Sequence, residues 1–400
     1  MAFMAAGPLT GATVLDLTRV MSGPYCTLML ADTGARVIKI EHPQRGDDTR
    51  AWGPPFVNGE SVYFLSVNRN KESVTLDFKH PEGRRILDAL LEQSDVLVEN
   101  FRPGTLARLG LDYASLATRH PRLIYASISG YGHSGPLRDL PGYDAVAQAE
   151  GGLMSMTGDS DGPPIRLGLP VADLVAGLFA AQGILLALLS RSVSGRGQHV
   201  DIAMHDSVAA LLTYRAAGYL NTGKTPPRMG NAHESIVPYG TFDVRDGLLM
   251  LAVGNDEQFR RFCDTIGLTA LAADPQFATN PQRVAHRYVL LSLLAPVLST
   301  RTRDEWVSAL RDAGVPCGAV RTIGEMMADP QLAARDMIMT VSHPTAGELR
   351  LVGNPVKLSG AAPHTDRPAP ALGEHTEAIL TGELGLSAET LADLRRRSVV

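Results

Sequence analysis

Residues 13–41, TVLDLTRVMSGPYCTLMLADTGARVIKIE, decide the fold because two β-rich runs flank one helical run. TVLDL and RVIKIE are short and apolar, as buried strands are. Between them, SGPYCTLMLADTGA carries N-cap candidates at Ser22 and Gly23, Pro24 near the first helical position, and a stop at Gly34. A strand, a helix and a second strand in this order predict one βαβ unit of a parallel sheet.

The same alternation continues along the next part of the chain. β-rich runs at 73–78, 95–100 and 123–129 are separated by the helical run PEGRRILDALLEQ and by a second helix expected from Thr105. This order predicts the α/β class, with a Rossmann-like large domain that binds ligands outside the carboxyl ends of its strands. Three loops are expected there: TRVMSGP, EHPQRGDDTR and ENFRPG.

The length of 400 residues exceeds what one hydrophobic core usually organises, so two lobes are expected. A segment rich in Gly and Pro at 221–231 indicates a linker, and Asp246-Gly247 between two β-rich runs predicts a hairpin after it. The predicted domains are the first part of a large Rossmann-like lobe over 1–220, a small α+β lobe over 225–320, and a C-terminal part, 321–400, that rejoins the large lobe.

Composition and charge exclude several classes of partner. With a formal net charge of −5 and dispersed Lys and Arg, no basic face for nucleic acid or an anionic membrane is expected. Three distant cysteines without CxxC or His–Cys spacing predict neither disulfides nor a metal site. No signal or transit peptide is apparent at the N-terminus, and the longest apolar run, 174–190, is expected to be too short for a membrane span and to form a helix buried on all sides. A cytoplasmic protein is expected.

The strand-end loops carry separated cations but no nucleotide fingerprint. Neither GxGxxG nor GxxxxGK[ST] occurs in them, which argues against an NAD enzyme or an NTPase. Spread charges suit a ligand with several phosphates, although each could be a solvated surface charge. The candidates are Arg19, Arg45, Arg50, Lys71, Lys79, Arg102 and Arg108. Asn100, Phe101 and Arg102 directly follow a strand, where a base could stack or a phosphate bind, unless Phe101 simply packs inward.

Asp173 is the single carboxylate in the apolar run GLPVADLVAG, residues 168–177. An unpartnered buried carboxylate is costly, so Asp173 must be paired, protonated or functional. Two compatible interpretations remain. Asp173 caps the first helical turn after Pro170, or the helix start keeps it ionised in a dry pocket, where it can act as a nucleophile.

A series of segments in fixed order resembles the family III CoA-transferases, the group that includes formyl-CoA transferase. They are GATVLDLTRVMSGPYCTLMLADTGARVIKIE, GDDTR, VNRNK, VENFRPG, ISGYGHSGP, GYDAVAQAEGG, TGDSDGPPIRLGLPVADLVAG, GRGQHVDIAM, GVPCGAV and LGEHTEAIL. The resemblance implies two ring-like subunits threaded through one another as an interlocked homodimer. It also implies that the large lobe is built from both ends of the chain.

The same resemblance implies a catalytic residue and CoA contacts. The family's nucleophile is the aspartate of GxxxxDxxxG, here Asp173, which forms an aspartyl anhydride and then an aspartyl-CoA thioester. CoA and acyl-CoA are substrates, and no tightly bound cofactor is expected. The implied CoA contacts are Val20, Met21, Ser22, Leu76, Lys79, Asn100, Phe101, Arg102 and Arg108, with Arg45 expected to substitute for a family arginine where His42 stands.

Substrate choice follows from a narrower resemblance. GDDTRAWGPPFV, YFLSVNRNK and HESIVPYGTF are most similar to the succinyl-CoA:glutarate branch, which also accepts hydroxymethylglutarate. Succinyl-CoA is therefore the expected donor and a dicarboxylate the expected acceptor. A second acceptor carboxylate would need a cation near Asp173, supplied by Arg19, Arg50 or His233, although His233 could equally be a loop histidine bonded to backbone. Gly230-Asn231 could donate N–H groups to an oxyanion.

Two alternatives stay open. Acyl-CoA racemases of the same superfamily share the aspartate but use a histidine in a GHD segment as the second acid/base. Tyr143 takes that position here and is placed with the substrate-binding residues; a phenol with a pKa near 10 is a poor partner for proton exchange, which favours transfer. A Rossmann-type nucleotide-binding oxidoreductase could use Glu41 for a ribose, but the glycine fingerprint is missing.

Overall fold

The computed structural model describes residues 7–361 and 367–400. The strands are β1 (Thr13–Asp16), β2 (Arg36–Glu41), β3 (Phe56–Val57), β4 (Glu60–Ser61), β5 (Lys71–Thr75), β6 (Val96–Glu99), β7 (Ile124–Ser129), β8 (His199–Ala203), β9 (Tyr239–Val244), β10 (Gly247–Ala252), β11 (Cys317–Ala319), β12 (Ile338–His343) and β13 (Gly347–Val352). The α-helices are α1 (Ser22–Asp32), α2 (Val62–Val67), α3 (Pro81–Glu92), α4 (Tyr113–Arg119), α5 (Asp144–Glu150), α6 (Val171–Ser194), α7 (Met204–Leu211), α8 (Thr213–Thr222), α9 (Asp256–Thr265), α10 (Thr269–Ala273), α11 (Asn280–Ala285), α12 (Arg287–Leu298), α13 (Arg303–Asp312), α14 (Ile323–Met327), α15 (Pro330–Ala334), α16 (Thr376–Gly382) and α17 (Ala388–Arg396).

The chain forms two compact units. The first contains residues up to 153, 166–222 and the residues from 330 onward, and the second contains 154–165 and 223–329. Residues 154–165 therefore group with the second unit, although they fall within the range expected for the large lobe. The domain boundaries expected from the sequence therefore remain a prediction.

A six-stranded sheet forms the centre of the first unit, with strand order β5-β2-β1-β6-β7-β8. Every neighbouring pair in it is parallel, which confirms the α/β class predicted from the alternation. The strand order reverses between β1 and β6. In open parallel sheets, ligands bind beside the carboxyl ends of the strands at such a switch point. The loops that leave β1 and β6 are therefore the first place to look for a site.

Helices cover both faces of this sheet. Leu15 and Ile38 share one hydrophobic cluster with residues of α3, α16 and α17. Val14 and Val37 point to the opposite face and share a second cluster with residues of α1 and α6. Strands buried on both faces are apolar throughout, as β1 and β2 are. The last two helices of the chain thus pack on the sheet that its first residues begin.

Two local predictions were wrong for backbone reasons. No α-helix begins at Thr105; a short 3-10 turn, Ala107–Leu109, ends at Gly110 in a left-handed conformation, and α4 starts only at Tyr113. The N-cap of α1 is Met21, not Ser22 or Gly23, and no side chain caps this helix. Ser22 is instead the first helical residue, so its hydroxyl is free for another partner.

Helix α6 differs from its prediction in length and in burial. It has 24 residues, and among the described residues it is the one helix long and apolar enough to cross a membrane, a test that core helices also pass. It is not buried on all sides, because Leu178, Leu186, Leu189 and Val193 are 46–92% exposed. These positions recur at helical spacing, so they form one apolar stripe.

The opposite face of α6 packs closely on α1. A Cβ at Gly177 would lie 2.6 Å from the backbone oxygen of Ser22, so only glycine permits this approach. The close contact sets the first turn of α6, which carries Asp173, beside the loop that follows β1.

The second unit is built on a small antiparallel sheet of order β11-β10-β9. Phe259, Leu290 and Trp306, from the helices packed on it, are fully buried in its core. The predicted hairpin is confirmed, but Val244 pairs with Gly247, so the two loop residues are Arg245 and Asp246.

Candidate active site

The loops after β1 and β6 are joined by reciprocal hydrogen bonds at the switch point. The backbone N–H of Arg19 donates to Asn100 Oδ1 at 2.9 Å, and Asn100 Nδ2 donates to the Arg19 carbonyl at 2.7 Å. Val20 follows with a φ of 70°, a strained value for a β-branched residue. Its N–H donates to Asp47 Oδ1 at 3.3 Å, so the neighbouring loop holds the strained backbone in place.

A cavity of about 520 Å³ lies along the carboxyl ends of the strands. It brings together six of the residues singled out in the sequence: Arg19, Arg45, Leu76, Lys79, Phe101 and Arg102. Four of these carry a positive charge and one offers an aromatic face. A ligand that carries several phosphates and a planar ring fits this lining.

A smaller cavity of about 160 Å³ adjoins the first. Asp173 lines it, together with four predicted residues that do not line the larger cavity: Val20, Ser22, Asn100 and Tyr143. Both cavities are lined by Arg19, Phe101 and Arg102, so these side chains stand at the boundary between the two. A long ligand in the larger cavity could therefore extend to Asp173.

Asp144, not Asp173, caps the start of α6. Asp144 Oδ1 accepts hydrogen bonds from the N–H groups of Ala172 at 2.8 Å and Asp173 at 3.4 Å, while Gln148 Nε2 donates to Asp144 Oδ2 at 2.7 Å. The interpretation of Asp173 as the cap is therefore wrong. Because another carboxylate satisfies the helix terminus, the side chain of Asp173 is left to face the smaller cavity.

The surroundings of Asp173 disfavour its charged form. Burial, and secondly the charge of Asp144, raise its pKa to about 7, against a smaller lowering by a hydrogen bond with Ser22. The expectation that the helix start keeps Asp173 ionised stays a prediction, and burial and Asp144 oppose it by raising the pKa. Burial and these same carboxylates raise the pKa of Tyr63 to about 12, so this neighbour stays a neutral phenol.

Several predicted residues lie outside both cavities in the described part of the chain. Arg50 makes a bidentate ion pair with Glu41, at 2.8 and 2.7 Å, and its guanidinium lies 3.7 Å from the centre of the Phe64 ring. It therefore cannot supply the cation expected near Asp173. Met21 is buried in an apolar cluster, and Arg108 is exposed on the short 3-10 turn.

Lys71 is also a structural cation. Its ammonium group is buried, 3.4 Å from Asp16 Oδ2, and donates to the Pro24 carbonyl at 2.9 Å and Asn68 Oδ1 at 2.8 Å. The VNRNK segment thus supports the sheet from within. This accounts for its place in the sequence without any contact to a ligand.

Gly230, Asn231 and His233 lie in the second unit. The N–H of Gly230 already donates to the Gly158 carbonyl at 2.9 Å, so the expectation that it is free for an oxyanion is wrong. Asn231 Nδ2 donates to the Thr241 hydroxyl at 3.2 Å. His233 Nδ1 accepts the N–H of Ser235 at 3.1 Å, as in the alternative of a loop histidine bonded to backbone.

Sequence reasoning missed Asp144, Gln148 and Tyr63. Asp144 and Gln148 have the i, i+4 spacing of a helical pair, and both lie in the GYDAVAQAEGG segment. That spacing is a usable local signal. The contact of Asp144 with a helix that begins 27 residues later leaves no mark in the sequence.

Comparison with known proteins assigns the family. A family model described as CoA-transferase family III matches residues 9–376. The chain is similar to a succinate–glutarate CoA-transferase of Agrobacterium fabrum, with 42% identity over 93% of this chain and 95% of that protein. It is also similar to the human succinyl-CoA:glutarate CoA-transferase, with 40% identity over 98% of this chain and 90% of the human one.

A solved structure of a CAIB/BAIF family protein from Brucella suis superposes with a TM-score of 0.86 and 41% identity, covering 94% of this chain and all of that one. The family match spans both the strand-end loops and the helix that carries Asp173. CoA thioesters are substrates in this chemistry, which requires no tightly bound cofactor. The chain belongs to CoA-transferase family III and is an enzyme that transfers CoA between acyl-CoA and carboxylic acid substrates.

Proposed function

We propose that the enzyme transfers CoA from succinyl-CoA to a dicarboxylate such as glutarate or hydroxymethylglutarate, with Asp173 as the covalent carrier. The observation that carries this proposal is the position of Asp173 in a small cavity that shares Arg19, Phe101 and Arg102 with a larger cationic one. Relatives named for succinyl-CoA and glutarate support the substrates. A relative from Acetobacter aceti at 43% identity is named for acetyl-CoA and oxalate, so the acids need a direct test.

The proposed reaction conserves charge and needs no proton at any step. Asp173 attacks the donor carbonyl, the C–S bond breaks, and an aspartyl anhydride and CoA thiolate form. The thiolate attacks the aspartyl carbon, which releases succinate and leaves an aspartyl-CoA thioester. The acceptor carboxylate then displaces the thiolate to give a second anhydride. Attack of the thiolate on the acceptor carbonyl releases the new acyl-CoA and restores Asp173.

We propose that the nucleotide part of CoA occupies the larger cavity. Arg45, Lys79 and Arg102 would bind its phosphates, and Phe101 and Leu76 would contact its adenine. The pantetheine arm would then pass Arg19, Val20, Ser22 and Asn100 to reach Asp173, with Tyr143 at the substrate end. Met21 would act through its packing, and Arg108 at the rim of the site.

The lining of the smaller cavity supports an anhydride intermediate. Its remaining walls include Ile128, Leu140, Pro141 and Met204, which are apolar. Mixed anhydrides hydrolyse readily, so apolar walls that limit the approach of water would protect the acyl group between the two transfer steps. The same apolar walls contribute to the raised pKa of Asp173.

That pKa predicts the pH dependence of the first half-reaction. Only the carboxylate attacks, so kcat/KM for succinyl-CoA should fall about tenfold per pH unit below about 7 and level off above it. Asp144→Asn keeps an oxygen for the N–H of Ala172 but removes the charge that raises the pKa. The midpoint should move about one unit to lower pH, measured by rapid-quench formation of the adduct.

Asp144→Ala is the matched variant for this experiment, because it removes both the charge and the acceptor of the Ala172 N–H. The amount of adduct formed on Asp173 should be lower in Asp144→Ala than in Asp144→Asn, since the first turn of α6 loses its cap. An unshifted midpoint in Asp144→Asn would show that Asp144 does not set the titration of Asp173.

Arg19 is the proposed cation for the second carboxylate of the acceptor. Arg19→Ala should raise KM for glutarate by about 10- to 100-fold, the range of a lost charged hydrogen bond, and KM for a monocarboxylate by less than about 2-fold. Initial rates with both acids at fixed succinyl-CoA measure this. Asp48→Ala is the control, because Arg19 pairs with Asp48 at 3.2 Å and the variant breaks that pair alone. Equal losses for both acids would remove Arg19 from acceptor recognition.

A panel of acceptor acids tests the proposed function itself. The enzyme is incubated with succinyl-CoA and each acid, and the acyl-CoA products are identified by mass spectrometry. Glutaryl-CoA and hydroxymethylglutaryl-CoA should form faster than any product of a monocarboxylate. If no CoA moves, and deuterium from solvent instead enters the α position of a branched acyl-CoA, the racemase alternative replaces this proposal.

We propose further that two copies form the interlocked homodimer of the family, acting in the cytoplasm with a large domain built from both ends of the chain. The exposed apolar stripe of α6 supports a second copy as its cover, since contiguous apolar surface of this kind is rare on monomers. Tyr214 and Leu220, on the following helix, add further exposed apolar surface. Sedimentation velocity at micromolar concentration should give a dimer; a monomer would contradict the proposal.

A further inference from the structure

A cluster of potential metal ligands lies on strands β6 and β8 and on the loop after β7, beside the site. Glu99 at the end of β6 pairs in register with Ser127 of β7, which pairs with Asp201 of β8. His199 is two residues before Asp201 and therefore points to the same face of the sheet. His133, from the loop after β7, lies against them, with its backbone N–H donating to Asp201 Oδ2 at 3.0 Å.

The side chains converge at distances that suit an ion. One potential ligand atom from each of His133, His199 and Asp201 lies within 4.8 Å of the other two. Glu99 Oε1 lies 3.7 Å from His133 Nε2. Ligand bonds of about 2.0–2.1 Å place neighbouring ligand atoms around zinc roughly 3.3 Å apart, so small side-chain shifts close the site. Ser127 hydrogen-bonds to the ring of His199 at 2.7 Å and fixes its orientation, as outer partners of metal ligands do.

One polar group of the cluster lacks a hydrogen-bond partner, and another lacks an opposite charge. His133 Nε2 is buried and has no hydrogen-bond partner in the described structure. The buried carboxylate of Glu99 accepts hydrogen bonds from the Phe101 N–H and the Tyr125 hydroxyl, but it forms no ion pair with a lysine or arginine of residues 7–361 and 367–400. Buried polar groups of these kinds are normally satisfied, and a bound cation would satisfy both at once.

We propose that His133, His199 and Asp201, with Glu99 as a fourth ligand, bind a divalent first-row transition ion such as Zn²⁺. Two imidazoles and carboxylates form the donor set that such ions accept, and a set less suited to Mg²⁺ or Ca²⁺. Cysteine spacing could not reveal this site, because the site contains no cysteine. Its ligands come from three separate segments of the chain.

The ion would stabilise the loop that carries Asn100, Phe101 and Arg102. Glu99 Oε2 accepts the N–H of Phe101 at 2.8 Å, so fixing the Glu99 carboxylate also fixes the start of this loop. A consequence for CoA binding rests on the proposed function, because that proposal assigns the loop to CoA. Binding of the ion does not rest on it.

The test uses the full-length enzyme, stripped with a chelator and dialysed. Titration with Zn²⁺ in a calorimeter should give one ion per chain, and Co²⁺ should give visible absorption of a four-coordinate site. His133→Gln and Asp201→Asn should each weaken Zn²⁺ binding at least about tenfold, because loss of even an outer partner of a metal ligand costs about 10- to 100-fold in affinity. Asp201→Asn is nearly isosteric and retains an acceptor for the His133 N–H, and a thermal melt of each variant confirms folding.

His205→Gln is the matched control, because His205 lies nearby on α7 and is not part of the cluster. It should bind Zn²⁺ as the wild type does. Absence of saturable binding, or equal binding by the cluster variants and the wild type, would overturn the inference. Zinc binding is measured without CoA, and adduct formation on Asp173 is measured separately. A negative result for zinc therefore does not contradict the proposed CoA transfer, and a negative result for the adduct does not contradict zinc binding.

Discussion

Asp173→Asn is expected to lower the turnover of CoA transfer by at least about 10⁴-fold, because loss of a covalent nucleophile removes the reaction path itself. The amide is isosteric with the carboxylate but cannot form the anhydride. With succinyl-CoA, mass spectrometry of the wild-type peptide that contains Asp173 should show a CoA adduct or its hydroxylamine-trapped derivative. The same peptide of Asp173→Asn should carry neither.

The stability of this variant separates loss of chemistry from loss of fold. The pKa of Asp173 rises from 3.8 to about 7 on folding, so its contribution to stability is greatest below about pH 4 and is lost as the pH rises to 7. Asp173→Asn should therefore be more stable than wild type at pH 8. The shift sets an upper bound of about 4 kcal/mol, and partial exposure reduces the expected gain to about 1–2 kcal/mol.

Urea unfolding at pH 8 and pH 5 measures this difference, which should shrink at the lower pH. A variant less stable than wild type at pH 8 would mean that the carboxylate has a favourable partner in the folded state. If Asp173→Asn retained more than about 10⁻³ of the wild-type turnover, Asp173 would position the substrate but would not carry the acyl group.

The architecture of the sheet was predictable because its signals are local. Short apolar runs separated by a helix with Pro24 near its start and Gly34 after its end leave few alternatives to a βαβ unit. The wrong prediction in this part of the chain also has a local cause. The helix expected from Thr105 does not form because Gly104 and Gly110 both adopt positive φ, and a turn fits that backbone better.

The site was predictable only in part, because its charges depend on partners far away in the sequence. Lys79 and Arg102 do line the larger cavity. Arg50 and Lys71 look the same in sequence, but Glu41 and Asp16 hold them in ion pairs. A strand-end cation thus becomes a ligand contact or a structural ion according to where a buried carboxylate lies, and sequence spacing does not record this.

The apolar stripe of α6 shows a second limit of the sequence. A helix that is apolar on every side is expected in a core, in a membrane or at an interface, and composition alone does not distinguish these environments. One face of α6 packs against α1, and Leu189 and Val193 are exposed on the other face. Only this packing identifies the exposed face as a surface that a binding partner would bury.

The second large effect concerns Arg69, whose guanidinium is buried in the first unit with only 2% of the residue exposed. Its Nε and Nη2 donate to the two oxygens of Asp32 at 3.0 and 2.6 Å, and its Nη1 donates to the Val352 carbonyl at 2.9 Å. Asn354 Nδ2 also reaches Asp32, at 3.4 Å. The Arg69–Asp32 ion pair, through its hydrogen bonds with Val352 and Asn354, therefore connects the C-terminal part of the chain to helix α1.

Arg69→Met should lower the free energy of unfolding by about 3–5 kcal/mol, because it leaves the carboxylate of Asp32 buried without its cation. The melting temperature should fall by roughly 5–10 °C. Arg395→Met is the control, since Arg395 pairs with Glu377 at 3.0 Å on the surface, where such pairs contribute less than about 1 kcal/mol. Urea unfolding of both variants at pH 7 measures the contrast.

Adding Asp32→Asn to Arg69→Met should recover part of the loss, because most of the cost is the unpaired charge and not the missing side chain. No recovery would mean that the hydrogen bond of Arg69 to Val352 is the larger contribution. A loss below about 1 kcal/mol in Arg69→Met would place the pair with ordinary surface ion pairs. In that case the apolar contacts of α16 and α17 with the sheet would hold the C-terminal part of the chain in place by themselves.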